Sequence, residues 1–261
     1  MLDLSNPQSR RILIIGHRGA ESLAPENTWA AFEAGYQAGA DILEVDVQLT
    51  RDGEAVGFHD FTLWPKLHDP RWVRDLTWEE LQDLDVGSWF DPAFAGERVP
   101  RLADVLDWAR DRVALQLDLK HGFAPPDDDR LEMAALALVE GAGVTKKVVI
   151  SSWDQVSLFR LRARNPEIPL SVNLRERVPD PVGQVAPSGA RWVSVYWPQV
   201  DEQIVARLQS AGLLVNLTNL FTEEYAEAER LGADAVTTGN PAAACQVLGS
   251  LRSSGSRGAG G

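Results

Sequence analysis

The chain has 261 residues, of which 44% are hydrophobic and 24% are charged. This composition is typical of a globular protein and excludes a wholly disordered or fibrous chain. Lysine and arginine number 25 against 38 acidic residues, giving a net charge of −13, which argues against binding to nucleic acid or to anionic membranes.

Short β-branched runs alternate with helical patterns along the chain. Predicted strands span 11–17, 41–49, 54–59, 113–119, 147–152, 168–173, 191–196, 213–217 and 234–238. Helical patterns span 26–39, 102–110, 130–140, 154–164, 201–211, 222–231 and 242–248, whereas 182–189 is too short for a full helix. Strand followed by helix, repeated, predicts parallel strands joined by right-handed crossovers.

One junction breaks this alternation. Only residues 50–53 separate strands 41–49 and 54–59. A parallel crossover needs about a dozen residues or more, so these strands form an antiparallel hairpin in which Thr50 pairs with Glu54. Removing the return strand leaves eight parallel strands, and the sequence therefore predicts an α/β fold, a (β/α)8 TIM barrel over residues 10–250. The competing fold is an open doubly wound sheet, which usually has a glycine-rich phosphate loop that this sequence lacks after its first strand.

Residues 61–98 also depart from the alternation and are too long for an ordinary βα loop. They contain four of the nine tryptophans. Thr77 and Glu80 have the spacing of a capping box that opens a short helix. We interpret this segment as a small inserted subdomain that follows the hairpin of the second strand.

The ends of the chain and its cysteine content predict its location. The N-terminus has neither the basic start nor the apolar stretch of a signal peptide, and no apolar run reaches the roughly 20 residues of a membrane span. The single Cys245 excludes a disulfide framework and a cysteine-based zinc site. We therefore expect a cytoplasmic protein without stable membrane insertion, and a disordered Ser- and Gly-rich tail over 252–261. The oligomeric state is left open.

Side chains able to do chemistry lie in or directly after several predicted strands, toward the end of a barrel where functional groups lie. They are His17, Arg18, Glu44, Asp46, His59, Asp118 and Lys120. Glu44 and Asp46 share one strand face, and the hairpin brings His59 alongside them. Inward carboxylates need a cation, and the three acids form an oxygen-rich site suited to Ca²⁺ or Mg²⁺, with Zn²⁺ and Mn²⁺ left open by the two histidines.

These groups together suit the cleavage of a phosphoester. An arginine offers forked donors to phosphate oxygens, and a metal polarises the phosphoryl group. Two histidines can act as general base and general acid near neutral pH. An anionic small-molecule substrate therefore fits this otherwise acidic protein, because the site supplies local positive charge.

The ordered set of motifs resembles the signature of glycerophosphodiester phosphodiesterases over nearly the whole chain. The matching segments are His17-Arg18-Gly19, Pro25-Glu26-Asn27-Thr28, Glu44-Val45-Asp46-Val47, Thr50-Arg51-Asp52-Gly53, His59-Asp60, Trp89-Phe90, Val99-Pro100-Arg101-Leu102, Ser151-Ser152-Trp153, Gly232-Ala233-Asp234 and Thr238-Gly239-Asn240-Pro241. The resemblance implies a metal-dependent TIM barrel that hydrolyses glycerophosphodiesters to glycerol 3-phosphate and an alcohol.

The resemblance also implies roles for individual residues. His17 and His59 would be the acid–base pair, and Glu44, Asp46 and Asp118 would bind the metal. Arg18 and Lys120 would bind the phosphate, with Glu26 and Asn27 supporting this substrate-binding group. Four positions depart from the family pattern, which usually has Glu at Asp118, Arg near Trp64, Trp at Leu217 and Asp at Gly239.

Two other functions remain open from the sequence. One is a lysophospholipase D or a phospholipase C-like enzyme acting on a lipid phosphodiester, which the aromatic residues of 61–98 would suit. The other is a non-catalytic barrel that binds phosphodiesters, which only the departures from the family pattern support.

Overall fold

The structure, a computed structural model, describes residues 2–7, 11–122, 125 and 127–255. Its strands are β1 (Leu13–Gly16), β2 (Ile42–Leu49), β3 (Ala55–Gly57), β4 (Ala114–Leu119), β5 (Val148–Ser152), β6 (Leu170–Leu174), β7 (Trp192–Tyr196), β8 (Leu214–Thr218) and β9 (Ala235–Thr238). Its α-helices are α1 (Trp29–Gln37), α2 (Trp64–Leu67), α3 (Trp78–Leu81), α4 (Leu102–Ala109), α5 (Arg130–Gly141), α6 (Gln155–Arg164), α7 (Pro181–Val185), α8 (Glu202–Ser210), α9 (Tyr225–Arg230) and α10 (Pro241–Gly255).

All the strands except β3 form a closed parallel barrel. They pair in sequence order, and β1 closes the barrel by pairing with β2 on one side and with β9 on the other. Helices connect successive barrel strands, so the predicted TIM barrel is confirmed.

The hairpin has the predicted register. β3 is antiparallel to β2, with Leu49 opposite Ala55 and Val47 opposite Gly57. The Thr50 amide donates to the Glu54 carbonyl oxygen at 2.9 Å across the turn. Pairing continues one residue past β3, where the Phe58 amide donates to the Asp46 carbonyl oxygen at 2.9 Å. The chain that carries His59 is therefore aligned along the C-terminal half of β2.

Inward-facing residues change from apolar to polar along the barrel axis. Near the N-terminal ends of the strands they form a buried cluster of Leu4, Leu13, Ile15, Ile42, Ala114, Val149, Trp192 and Ala235. Two residues further along several strands come the buried polar residues Glu44, Gln116, Ser151, Ser194, Asn216 and Thr237. Because strand side chains alternate, the intervening residues face outward and pack beneath the helices. The barrel therefore has an apolar base and a polar C-terminal end.

The segment between β3 and α4 contains α2 and α3 and packs over its own apolar cluster. That cluster consists of Val56, Phe58, Leu63, Val73, Leu76, Leu81, Val86 and Val99. The predicted capping box is present at α3, since the Thr77 side chain accepts from the Glu80 amide and the Glu80 side chain accepts from the Thr77 amide. The interpretation of residues 61–98 as an inserted subdomain stays a prediction.

The start of α1 and the end of α10 differ from the prediction. Helix α1 begins at Trp29 rather than at Glu26, because Asn27 has a left-handed φ of 55° and Thr28 caps the helix through its hydroxyl group. Helix α10 continues to Gly255, and the rest of the predicted tail, 256–261, lies outside the described residues. Among the described residues, the structure contains no helix with the length and apolar character needed to cross a bilayer.

Candidate active site

A cavity of about 500 Å³ opens at the C-terminal end of the barrel. The predicted site residues that line it are His17, Arg18, Glu44, His59, Asp118 and Lys120. Its other walls include Asp60, Phe61, Gln116, Trp153, Asn173, Arg175, Ser194, Tyr196, Thr218, Asn219 and Thr237. The strand ends of the barrel and the chain following β3 thus contribute to one site.

Three buried carboxylates from two adjacent strands form the acidic centre of this cavity. Glu44, Asp46 and Asp118 each place an oxygen within 4.8 Å of the other two. Burial, reinforced by the charge of Asp46, raises the pKa of Glu44 well above its ordinary value. Burial also disfavours the charge on Asp46, but Lys120 and Arg18 outweigh it and lower the pKa of that carboxyl group. The three oxygens could hold a divalent cation.

Hydrogen bonds hold each carboxylate in place. The Arg18 amide donates to Glu44 Oε2 at 2.7 Å. Asn27 Nδ2 donates to Asp46 Oδ2 at 2.8 Å, while Asn27 Oδ1 accepts from the Asp46 amide at 3.0 Å. Asp118 Oδ1 accepts from Asn173 Nδ2 at 2.7 Å and from Ser151 Oγ at 3.1 Å. Contacts within the protein therefore fix the orientation of all three carboxylates.

Two cations flank the acids. Arg18 Nη1 lies 2.7 Å from Glu26 Oε2, and Arg18 Nε lies 3.4 Å from Asp46 Oδ2. Lys120 Nζ lies 2.8 Å from Asp46 Oδ1 and 2.5 Å from Asp118 Oδ2. Burial opposes both positive charges, but the surrounding carboxylates prevail and raise the pKa of each group. Both groups therefore stay protonated and can bind an anionic substrate.

Each cavity histidine is backed by a carboxylate. His17 Nδ1 lies 2.6 Å from Glu21 Oε1, and His59 Nδ1 lies 3.0 Å from Asp60 Oδ1. A carboxylate only accepts, so each Nδ1 carries the proton and Nε2 is the nitrogen available for catalysis. Burial lowers the pKa of His17, but the hydrogen bond to Glu21 and the charge of Glu44 outweigh it and raise the pKa overall.

The structure brings all nine predicted residues together, although three of them, Glu26, Asn27 and Asp46, do not line the cavity. Glu26 and Asn27 are not part of the cavity lining, and instead contact Arg18 and Asp46 from behind it. The roles assigned to the nine residues stay predictions.

Several residues around the site were missed from the sequence. Glu21 lies four residues after His17, and Asp60 directly follows His59, so local spacing could have indicated both as partners of the histidines. The alternation of β6 could have indicated Asn173, which faces the site two residues after Ser171. Gln48 Nε2 donates to the carbonyl oxygens of Phe58 and Asp60 and holds the chain around His59. Lys66, which contacts Glu26 and Asp60, carries no signal in the sequence.

The departures from the family pattern have separate structural settings. Leu217 faces outward into the apolar core beneath the helices. Trp64 is 56% exposed and packs edge-to-face against His68. Gly239 makes room for the loop that carries Glu21, since a Cβ atom at that position would lie 2.5 Å from Ser22 Oγ. None of these three residues lines the cavity, so only Asp118 changes the described site directly.

Comparison with known proteins gives a consistent result. The family model "Glycerophosphoryl diester phosphodiesterase family" matches residues 17–243. A glycerophosphodiester phosphodiesterase of Caldanaerobacter subterraneus is 30% identical over 237 residues, which cover 88% of this chain and 95% of that protein.

Solved structures with a similar fold include proteins of the same description. A glycerophosphodiester phosphodiesterase from Agrobacterium tumefaciens aligns with a TM-score of 0.76 and 26% identity, covering 90% of this chain and 99% of that one. A phosphodiesterase from Oleispira antarctica, solved in complex with the product sn-glycerol-3-phosphate, shares the fold with a TM-score of 0.84 at 24% identity, covering 90% of this chain and 96% of that one. Because the family model spans most of the barrel and its cavity, the chain belongs to the glycerophosphoryl diester phosphodiesterase family.

Proposed function

We propose that this protein hydrolyses glycerophosphodiesters to glycerol 3-phosphate and an alcohol, with Ca²⁺ or Mg²⁺ as cofactor. The observation that carries the proposal is the cavity itself, which joins three clustered carboxylates to two histidines that each have a carboxylate partner. The product complex of the Oleispira antarctica phosphodiesterase supports glycerol 3-phosphate as the phosphate-bearing product.

The acidic cluster fits a hard divalent cation. Its donors are all carboxylate oxygens, which Ca²⁺ and Mg²⁺ prefer, and all three carboxylates are buried within 4.8 Å of one another. Glu44, Asp46 and Asp118 would hold the ion. A cation bound there would neutralise the acids and polarise the phosphoryl group.

Arg18 and Lys120 are suited to hold the phosphate. Arg18 lines the cavity, and of its five N–H donors the described contacts are Nη1 with Glu26 Oε2 and Nε with Asp46 Oδ2. This guanidinium therefore has donor capacity left for a phosphate oxygen. Lys120 adds a second positive charge, next to the other oxygen of Asp46. A phosphate that accepts hydrogen bonds from both Arg18 and Lys120 would therefore be held between two fixed cations.

The two histidines are suited to the proton transfers. Hydrolysis breaks the bond between phosphorus and the alcohol oxygen and forms one to the attacking oxygen. The attacking oxygen loses a proton to a base, and the leaving oxygen gains a proton from an acid. His17 follows β1 and His59 follows the hairpin, so they approach the cavity from different elements. Glu21 and Asp60 orient the two rings through their hydrogen bonds to Nδ1.

The test compares histidine variants on glycerophosphocholine, with release of glycerol 3-phosphate as the readout. His17→Asn and His59→Asn should each lower turnover on the order of a hundredfold or more. His68→Asn is the matched control, because His68 is exposed outside the cavity and asparagine tolerates its left-handed φ of 53°. A p-nitrophenyl ester should rescue only the variant that lacks the general acid. Normal turnover in both cavity variants would refute the acid–base assignment.

A chelator arm tests the metal and the alternative functions. Chelation should abolish activity, and Ca²⁺ or Mg²⁺ should restore it. Turnover of a lysophospholipid without turnover of glycerophosphocholine would favour the lipid phosphodiesterase alternative, for which Trp153 on the cavity wall is the supporting feature. Binding of diesters without turnover of any of them would favour the non-catalytic barrel.

A further inference from the structure

Lys66 connects the inserted segment to the site. It lies on α2, between β3 and α4 in the chain, and its side chain is only 7% exposed. Its ammonium group lies 2.9 Å from Glu26 Oε1 and donates a hydrogen bond to Asp60 Oδ2. These two carboxylates come from segments on either side of β2, and Lys66 links them directly.

Each of these carboxylates uses its second oxygen on a group of the proposed reaction. Glu26 Oε2 accepts from Arg18 Nη1 at 2.7 Å. Asp60 Oδ1 accepts from His59 Nδ1 at 3.0 Å. The result is a continuous chain of opposite charges in the order Arg18, Glu26, Lys66, Asp60, His59. One end holds a phosphate-binding guanidinium and the other end holds an acid–base imidazole.

Aromatic rings fix the position of the ammonium group. Lys66 Nζ lies 5.0 Å from the centroid of the Phe58 ring and 5.5 Å from that of Trp89. Both distances are within the range of cation–π attraction. The side chain is thus confined by the insertion and by the residue that follows the hairpin, rather than extending into solvent.

The same contacts bear on whether this region could take a second metal. Glu26, His59 and Asp60 place ligand atoms within 4.8 Å of one another. The Lys66 ammonium group already occupies the space between the two carboxylates and supplies the positive charge there. We therefore assign the cation to the cluster of Glu44, Asp46 and Asp118 alone.

We propose that Lys66 is a positioning residue that fixes where the guanidinium of Arg18 and the imidazole of His59 lie relative to each other in the cavity. It does so by binding Glu26 and Asp60 at once, without touching the substrate. This inference rests on the proposed hydrolysis, and it gives the inserted segment a direct part in that reaction.

The experiment compares Lys66→Met, Lys66→Ala and Lys147→Met on glycerophosphocholine. Lys147 is the matched control. It directly precedes β5, at the end of the barrel opposite the cavity, and its ammonium group donates to the Arg110 carbonyl oxygen. Loss of Lys66 should lower kcat/KM on the order of tenfold to a hundredfold, the scale expected when reacting groups are misplaced by about 1 Å. The control should retain wild-type kcat/KM.

Two readouts separate positioning from a merely structural role. Lys66 helps to lower the pKa of Asp60, so removal of its ammonium group should raise that pKa and move the acid limb of the pH profile of kcat/KM to higher pH in Lys66→Met. Propylammonium reproduces the atoms from Cγ to Nζ that Lys66→Ala removes, so adding it should restore activity to Lys66→Ala in a saturable way.

The outcomes distinguish this inference from the proposed function. A wild-type protein that hydrolyses no diester refutes the proposed function. An active wild type refutes the role of Lys66 if Lys66→Met and Lys147→Met behave alike, or if Lys66→Ala loses activity that propylammonium does not restore. Rescue together with the shifted pH profile supports the role.

Discussion

Asn27 offers a sharp test of how the acidic cluster is organised. Its side chain makes two hydrogen bonds with Asp46, one to the carboxylate at 2.8 Å and one from the backbone amide at 3.0 Å. Asn27 is 2% exposed and has a left-handed φ of 55°. Asn27→Ala removes both hydrogen bonds and places alanine in a backbone conformation that it adopts poorly.

The expected loss of stability follows from these contacts. A hydrogen bond to a charged group contributes about 1.5–3 kcal/mol, and leaving a buried amide unsatisfied costs about 1–3 kcal/mol. Left-handed backbone adds roughly 1–2 kcal/mol for alanine. Because these losses share one side chain they do not add fully, and we expect Asn27→Ala to lower the free energy of unfolding by about 3–6 kcal/mol.

Asn219 provides the matched control. It has a similar φ of 64° but is exposed, so Asn219→Ala should lose only the roughly 1–2 kcal/mol of backbone strain. Urea unfolding in the presence of a chelator measures both variants without a contribution from bound metal. Asn27→Gly, which relieves the strain but not the lost hydrogen bonds, should fall between them. Equal losses from Asn27→Ala and Asn219→Ala would refute the proposed support of Asp46.

Three further predictions concern protonation and packing. Because burial and the charge of Asp46 raise the pKa of Glu44, Ca²⁺ or Mg²⁺ binding should release more protons at pH 6 than at pH 9. Calorimetry in buffers of different ionisation enthalpy measures this release, and equal values at the two pH values would contradict it. Burial opposes the charge of Asp60, but His59 and Lys66 prevail and lower its pKa from 3.8 to about 2. A carboxyl group with a lowered pKa stabilises the folded state at pH values above its unfolded-state pKa, and this contribution is lost as the pH falls through about 2. Asp60→Asn should therefore lower the free energy of unfolding by roughly 2 kcal/mol at pH 6 and by little at pH 2. A pH-independent difference in urea unfolding would oppose this reasoning. Finally, Gly239→Ala would place a Cβ atom 2.9 Å from Glu21 Cγ and should lower kcat roughly tenfold by disturbing the partner of His17, whereas Gly249→Ala meets nothing within 4 Å and should keep wild-type kcat. Wild-type kcat in both variants would show that the Glu21 loop tolerates the added atom.

The barrel could be predicted because its evidence is local. Each strand is a short run bounded by turn residues, and the four-residue connection at 50–53 identified the antiparallel strand that had to be left out of the count. The start of α1 could not be predicted, because the residues from Glu26 have a helical pattern in the sequence. The hydrogen bonds between Asn27 and Asp46 instead hold Asn27 in a left-handed conformation, so a contact between distant residues overrides the local pattern.

The candidate site was predictable to the extent that the barrel itself positions its residues. Glu44, Asp46 and Asp118 follow from strand alternation, because inward positions on β2 and β4 recur every two residues. The position of Lys66 depends instead on how the insertion packs over Phe58, which the four-residue helix α2 does not reveal. The barrel thus fixes the carboxylates and His17, whereas the chain following the hairpin and the insertion fix His59 through Asp60 and Lys66. The relative placement of the two histidines therefore depends on the apolar cluster of the insertion as well as on the barrel core.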